Sequence, residues 1–229
     1  MDQQEKWKTA AIAMSSGLKA HAFKATSSPS NVVDLQTVNS IINDWPALSK
    51  KSANLTINRY GPPNEAISSR LIWYKNGPWK RTIVYQEEIP HDFPQPHSDV
   101  IENVIDYQVP PEKFTELAKF DGSVIIERTK GEVSSRCDME EANIIALNLM
   151  HDIVTGKMDA QTARDVYCEV TSAFMLNRSA PYAEKLQFEI PTNTRDTDQI
   201  MIVDEMAREA VEKVKDIVSG EQQEQKKYH

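Results

Sequence analysis

Residues 45–85, WPALSKKSANLTINRYGPPNEAISSRLIWYKNGPWKRTIVY, constrain the fold more than any other part of the chain. Trp45-Pro46 opens a helix, because proline is tolerated in a first turn where its missing N–H is not needed. Gly61-Pro62-Pro63 stops that helix, since proline removes a donor and clashes with the preceding turn. Two runs rich in aromatic and β-branched residues follow, 70–74 and 79–87, as strands prefer. Asn76-Gly77 between them is a hairpin signal, because tight primed turns need positive φ. A helix that ends hard against an antiparallel ribbon predicts an α+β protein.

The rest of the chain extends this pattern. Residues 5–25 carry apolar positions at helical spacing, and Asp34 begins a short helix over 34–43. The segment 89–98, rich in proline and histidine, reads as a loop, and 99–109 as a third strand. Residues 110–120 form a helix opened by prolines and closed at Asp121-Gly122. Residues 123–129 and 132–137 make a second hairpin about Gly131. Asp138-x-x-Glu141 has the form of a capping box and starts an apolar helix that runs to Gly156. Asp159 caps the next helix, whose stripe is Ala163, Val166, Tyr167, Val170 and Phe174. Residues 186–190 suggest an edge strand. A last helix over 196–219 repeats Ile200, Val203, Ala207, Ala210, Val214 and Ile217 at heptad spacing, and 220–229 form a polar tail.

The expected architecture is a four- or five-stranded, mainly antiparallel sheet with helices on one face and a helical C-terminal section. By sequence the regions are 1–44, 45–138, 139–219 and the tail. The expected core comprises Trp45, Leu55, Ile57, Leu71, Trp73, Ile83, Val124, Ile126, Ile145, Leu149, Val166, Val170 and Phe174, forming one continuous interior.

Composition narrows the function. At 229 residues, 40% hydrophobic and 26% charged, the chain is long enough to bury a sizeable core without staples. The net charge of −8 conceals an asymmetry: residues 45–86 carry seven basic side chains and one acidic. Such a patch faces either an anionic ligand or the protein's own acidic half, and the second is the expectation. Two cysteines, Cys137 and Cys168, give no disulfide framework and are read as reduced thiols. No apolar run is long enough to span a bilayer. The first 25 residues resemble a signal peptide only superficially, their apolar stretch being short. A cytoplasmic location is expected, with a mature exported form as the alternative. No glycine-rich phosphate loop, GxSxG or HExxH occurs, so no cofactor is expected beyond a divalent metal and no catalytic residue is assigned.

Two clusters remain as candidate sites. His91, Asp92, His97 and Asp99 lie within nine residues, and imidazole with carboxylate suits zinc, iron or manganese. A third ligand is needed, and His151 or Asp152 is its sequence candidate. Cys137 precedes a helix N-terminus, but no histidine is near it in sequence. The second cluster, Trp73, Tyr74, Trp79, Lys80 and Arg81, offers either a stacking and cationic surface or, where the indoles point inward, core anchors.

The helix running into Arg59-Tyr60-Gly61-Pro62-Pro63 and the tryptophan-bearing strand Leu71-Ile72-Trp73-Tyr74 resemble the small envelope modules of the SmpA/BamE kind. The resemblance covers about 40 residues. It implies helices paired with a short antiparallel sheet and carries no functional residue. The chain as a whole has the look of a bacterial protein.

The leading reading is a non-catalytic binding or assembly module, contacting a protein partner or a second copy through the hairpin or the 196–219 helix. The alternative is a metal-dependent hydrolase centred on His91, Asp92, His97 and Asp99. Nucleic-acid binding ranks third. The discriminating observation is whether the two loop imidazoles meet a third donor in a sheltered hollow.

Overall fold

The computed structural model describes residues 2–22, 31–199 and 201. The chain divides into two compact units, residues 1–27 with 198–229, and residues 28–197. In the first, helix α1 spans Gln3–Ala22, with Asp2 Oδ1 accepting the Glu5 N–H at 2.8 Å. The helix expected over 196–219 and the tail lie almost wholly outside the described residues.

The second unit carries the sheet. Helix α2 (Leu35–Ile42) is capped by Asp34, whose carboxylate accepts from Thr37 N–H. Helix α3 (Ala47–Tyr60) ends at Gly61, which takes φ +80 as a helix stop. Strands β1 (Glu65–Ile67), β2 (Arg70–Asn76), β3 (Trp79–His91) and β4 (His97–Asp106) follow. After helix α4 (Phe114–Phe120) come β5 (Val124–Glu127) and β6 (Glu132–Cys137), then α5 (Glu140–Val154), α6 (Ala160–Met175) and α7 (Pro181–Glu184). The strands form one antiparallel six-stranded sheet in the order β1-β2-β3-β4-β6-β5. The α+β class holds. The extra strand is β1, three residues long and too short to show a period.

Three local readings change. Residues 186–190 are not a strand: Asn148 of α5 takes the Gln187 N–H and donates to the Tyr182 and Lys185 carbonyls, giving this segment a side chain to pair with instead of a sheet edge. Asp138 is not the cap of α5. Met139 holds that position without a side-chain bond, and the Asp138 carboxylate turns to Cys137. Leu55 is 57% exposed, because α3 buries its small and hydroxyl face, Ser49, Ser52, Ala53 and Thr56, against the sheet.

The interior is two clusters rather than one. The larger gathers Trp79, Ile105, Leu117 and Phe120 around α5 and α6. The smaller joins Val38, Ile42 and Trp45 to Leu71, Trp73, Val84 and Ile101 under α2 and α3. Buried polar side chains run between them: Asn143 donates to Asn103 Oδ1, while Asn103 and Asn76 both donate to Thr82 Oγ1. Thr82 lies between Trp79 and Val84 on β3, and Asn103 lies between Ile101 and Ile105 on β4, so the polar chain interrupts the apolar row. Tyr60 packs against both clusters, and its hydroxyl donates to Glu140 at 2.7 Å.

Candidate metal centre

The segment 89–98 is the end of a hairpin rather than an open loop. Strands β3 and β4 pair through Ile89↔Asp99, Pro90↔Ser98 and His91↔His97, after a register shift between Val84 and Ile89. Residues directly opposite in an antiparallel pair share a face, and so do residues two apart on one strand. His91, His97 and Asp99 therefore project from the same side. The imidazole centroids are 4.9 Å apart. Asp92 lies one residue past the end of β3, is exposed, and is not part of the group.

Donor atoms of His91, His97 and Asp99 lie within 4.8 Å of one another. Asp99 Oδ1 is 3.2 Å from His97 Nε2 and 3.5 Å from His91 Nδ1. A tetrahedron built on metal–nitrogen and metal–oxygen bonds of about 2.0–2.1 Å has edges of about 3.3–3.4 Å, so these two separations already match a coordination polyhedron. Asp99 is 5% exposed, and its Oδ1 is buried without a hydrogen-bond partner. Its polar neighbours are the two imidazole nitrogens, with His97 Nε2 at ion-pair distance. A buried carboxylate oxygen left without a hydrogen bond is costly unless something else occupies it.

His97 is held from behind, and both nitrogens of His91 have partners. The Gln95 carbonyl accepts from His97 Nδ1 at 2.8 Å, which fixes that nitrogen as the protonated one and aims Nε2 at Asp99. Ser123 Oγ is 3.0 Å from His91 Nδ1, and Asp121 Oδ1 is 3.6 Å from His91 Nε2. Asp121 and Ser123 come from the turn between α4 and β5, where Asp121 Oδ1 also accepts the Ser123 N–H. Burial pushes the Asp121 carboxyl upward, partly offset by that backbone bond. Chiefly the Asp99 carboxylate, then Cys137, raise the His97 imidazole to about 11 against the opposing effect of burial.

Cys137, the last residue of β6, places Sγ 3.3 Å from His97 Nε2. It is 5% exposed, and burial raises its thiol above the ordinary range. His97 and Cys137 line a cavity of about 60 Å³ whose walls also include Ala142, Ile145, Tyr167 and Phe174. A wider groove of about 520 Å³ runs beside it between α3 and the start of α5. Asp138, Met139 and Phe174 line both hollows.

The other sequence candidates are used elsewhere. His151 bonds Tyr107 through Nδ1 at 2.9 Å and stacks on Phe188, while Asp152 accepts from Tyr182 and pairs with Lys157. Neither joins the histidine pair. Trp73 and Trp79 are each 2% exposed and act as core anchors, so they offer no stacking surface. Tyr74 bonds Glu65. Lys80 pairs with Asp106 and Glu132, and Arg81 with Glu132, so this part of the basic segment faces the chain's own carboxylates. Gln95, Asp121 and Ser123 were not legible as site residues, and the sequence set Cys137 aside because no histidine is near it along the chain. Asp121-Gly122-Ser123 reads only as a helix stop, and Cys137 reaches His97 through a strand pairing that spans 40 residues.

Among the described residues no helix is long and apolar enough to cross a membrane. No protein-family model, no curated protein and no solved structure matches the chain, so the site is argued from its own geometry.

Proposed function

We propose that the protein is a divalent-metal-dependent hydrolase, with His91, His97 and Asp99 as its metal ligands. The carrying observation is the buried Oδ1 of Asp99, set 3.2 and 3.5 Å from two imidazoles, of which His97 is held from behind by the Gln95 carbonyl and His91 lies near Asp121 through its other nitrogen. Two nitrogens and one carboxylate oxygen suit zinc and neighbouring transition metals, and three protein ligands leave a position for water. An ion held there would supply a water of lowered pKa and would polarise a substrate carbonyl or phosphoryl group. The small adjoining cavity has the Tyr167 and Phe174 rings in its wall.

This reading is preferred to a binding module docking through the hairpin, because the two indoles of that hairpin lie inside the protein. Elemental analysis of the purified protein tests it, followed by zinc and manganese titration and an assay with activated ester and phosphoester substrates. One equivalent of metal, with hydrolysis lost in His91→Ala and His97→Ala, is the expected result. Finding no stoichiometric metal, and none retained after soaking, removes the proposal.

A further inference from the structure

We propose that the groove between α3 and the start of α5 is the substrate cleft of this centre, and that it takes an extended peptide carrying a lysine or arginine side chain. The inference rests on the hydrolase reading above and names its substrate class. The groove, about 520 Å³, falls within the range of about 300–1,000 Å³ that ligand clefts occupy, whereas the hollow beside His97 is about 60 Å³ and admits only a small group. The two hollows share Asp138, Met139 and Phe174, so a chain lying in the groove passes beside His97. Leu55, which the core leaves 57% exposed, lies in the same lining as Met139 and Phe174 and offers an apolar side chain of the peptide a surface to cover.

Charge selects the substrate. Asp138, Glu140 and Glu141 line the groove against a single guanidinium, that of Arg59. Arg59 is shared, with Nη1 3.1 Å from Glu140 Oε1 and 3.2 Å from Glu141 Oε1, and Glu140 also accepts from the Tyr60 hydroxyl. The Asp138 carboxylate accepts from Cys137 Sγ at 3.4 Å and forms no ion pair among the described residues. Pairing Arg59 with the buried Glu140 therefore leaves Asp138 and Glu141, both part-exposed, as surplus negative charge. A phosphoester is repelled from such a lining, while a cationic side chain is drawn into it. The amide of a peptide is neutral and asks for no cation from the groove. Its hydrolysis consumes one water: the water oxygen bonds to the carbonyl carbon, the C–N bond breaks, and a water proton ends on the leaving nitrogen, with no electrons exchanged.

Peptide binding to the full chain after EDTA treatment, read by fluorescence anisotropy, tests the groove independently of the ion. The probes are three fluorescein-labelled hexapeptides that differ only at their two central residues, which are lysine, glutamine or glutamate. The expected order of affinity is lysine, then glutamine, then glutamate, with the lysine peptide weakened as salt is raised. Asp138→Asn and Glu141→Gln should each lower lysine-peptide affinity by about two- to fivefold, and the double variant should bind the three peptides nearly alike. Equal affinities in the parent protein, no binding of any peptide, or a lysine preference that survives the double variant would overturn the assignment. If the double variant fails to fold, the ranking of the three peptides by the parent protein still decides. With zinc restored, the lysine peptide should be cut into two fragments seen by mass spectrometry, and p-nitrophenyl phosphate should stay intact. Turnover of the phosphate with the peptide uncut would overturn the substrate class and leave the metal centre standing. A lysine preference in a protein that retains no zinc would strike the hydrolase reading, and cleavage with it, while the charge selection of the groove would stand.

Discussion

At the scale of single residues, the proposed centre depends on how each imidazole is oriented. A backbone carbonyl can only accept, so Gln95 commits His97 to one tautomer and leaves Nε2 facing Asp99 and Cys137. Outer partners of metal ligands are typically worth about 10–100-fold in affinity, so Asp121→Asn should weaken zinc binding by about that factor in a competition titration. His97→Ala and Asp99→Asn should cost at least the upper end of that range, whereas Asp92→Ala should leave the titration unchanged because Asp92 is exposed and outside the cluster. Equal losses in Asp92→Ala and Asp99→Asn would contradict this assignment. Of the four residues that the sequence grouped, the fold brings His91, His97 and Asp99 together and leaves Asp92 outside. By sequence Asp92 had the same standing as Asp99, since proximity along a chain does not say which side of a strand end a residue falls on.

At the scale of elements, the hairpin of β3 and β4 does most of the positioning. Its far end brings His91 opposite His97, and its middle is tied to α5 through Asn143, which donates to the Ile101 carbonyl and to Asn103 Oδ1. Asn143 is fully buried, so Asn143→Ala strands two acceptors and should destabilise the protein by about 1–3 kcal/mol or more in a urea titration. Because Ile101 lies two residues along β4 from Asp99, metal affinity should fall in the same variant. At the opposite end of the sheet, Gly131 sits at φ +63, and a Cβ there would come 2.6 Å from Thr194 Cβ. Gly131→Ala should therefore lower the melting temperature, reflecting about 1–3 kcal/mol of backbone strain plus the clash. An unchanged melting temperature would mean that the 194–195 segment gives way freely.

At the scale of the whole molecule, charge is arranged so that the basic segment answers the acidic one across the sheet. Arg59 meets Glu140 and Glu141, Lys80 and Arg81 meet Glu132, and Arg136 meets Glu102. Burial opposes ionisation of Glu102, but the bonds from Ser134, Tyr85 and Arg136 outweigh it and hold its carboxyl below the ordinary 4.5. Glu132 is likewise held low: burial acts against it, and Arg81 and Lys80 prevail. A carboxyl whose folded pKa is depressed contributes stability above its unfolded pKa and loses that contribution as pH falls through the folded value. The contribution of these two carboxyls should thus be level above about pH 5 and decline below about pH 4. Glu102→Gln should cost about 3–5 kcal/mol at pH 7, because it leaves Arg136 without its partner, and the gap to the parent protein should narrow in acid. A gap that is constant from pH 7 to pH 3 would show that Glu102 acts through shape rather than charge.

What the sequence by itself determined is local. Asp34 and Asp159 name their helix starts because a short carboxylate reaches its own backbone three residues on, Gly61 and Gly156 end helices because they accept positive φ, and the ribbon around Gly77 follows from turn chemistry and strand-forming residues. What only the tertiary structure decided is register and cross-chain contact. The length of β3 and β4, the facing of His91 and His97, the approach of Cys137 from β6 and of Asp121 from the turn after α4 all depend on which strands lie side by side. No pattern of neighbours along the chain encodes such pairings. They are fixed by how two hydrophobic clusters and the polar chain between them fill space together.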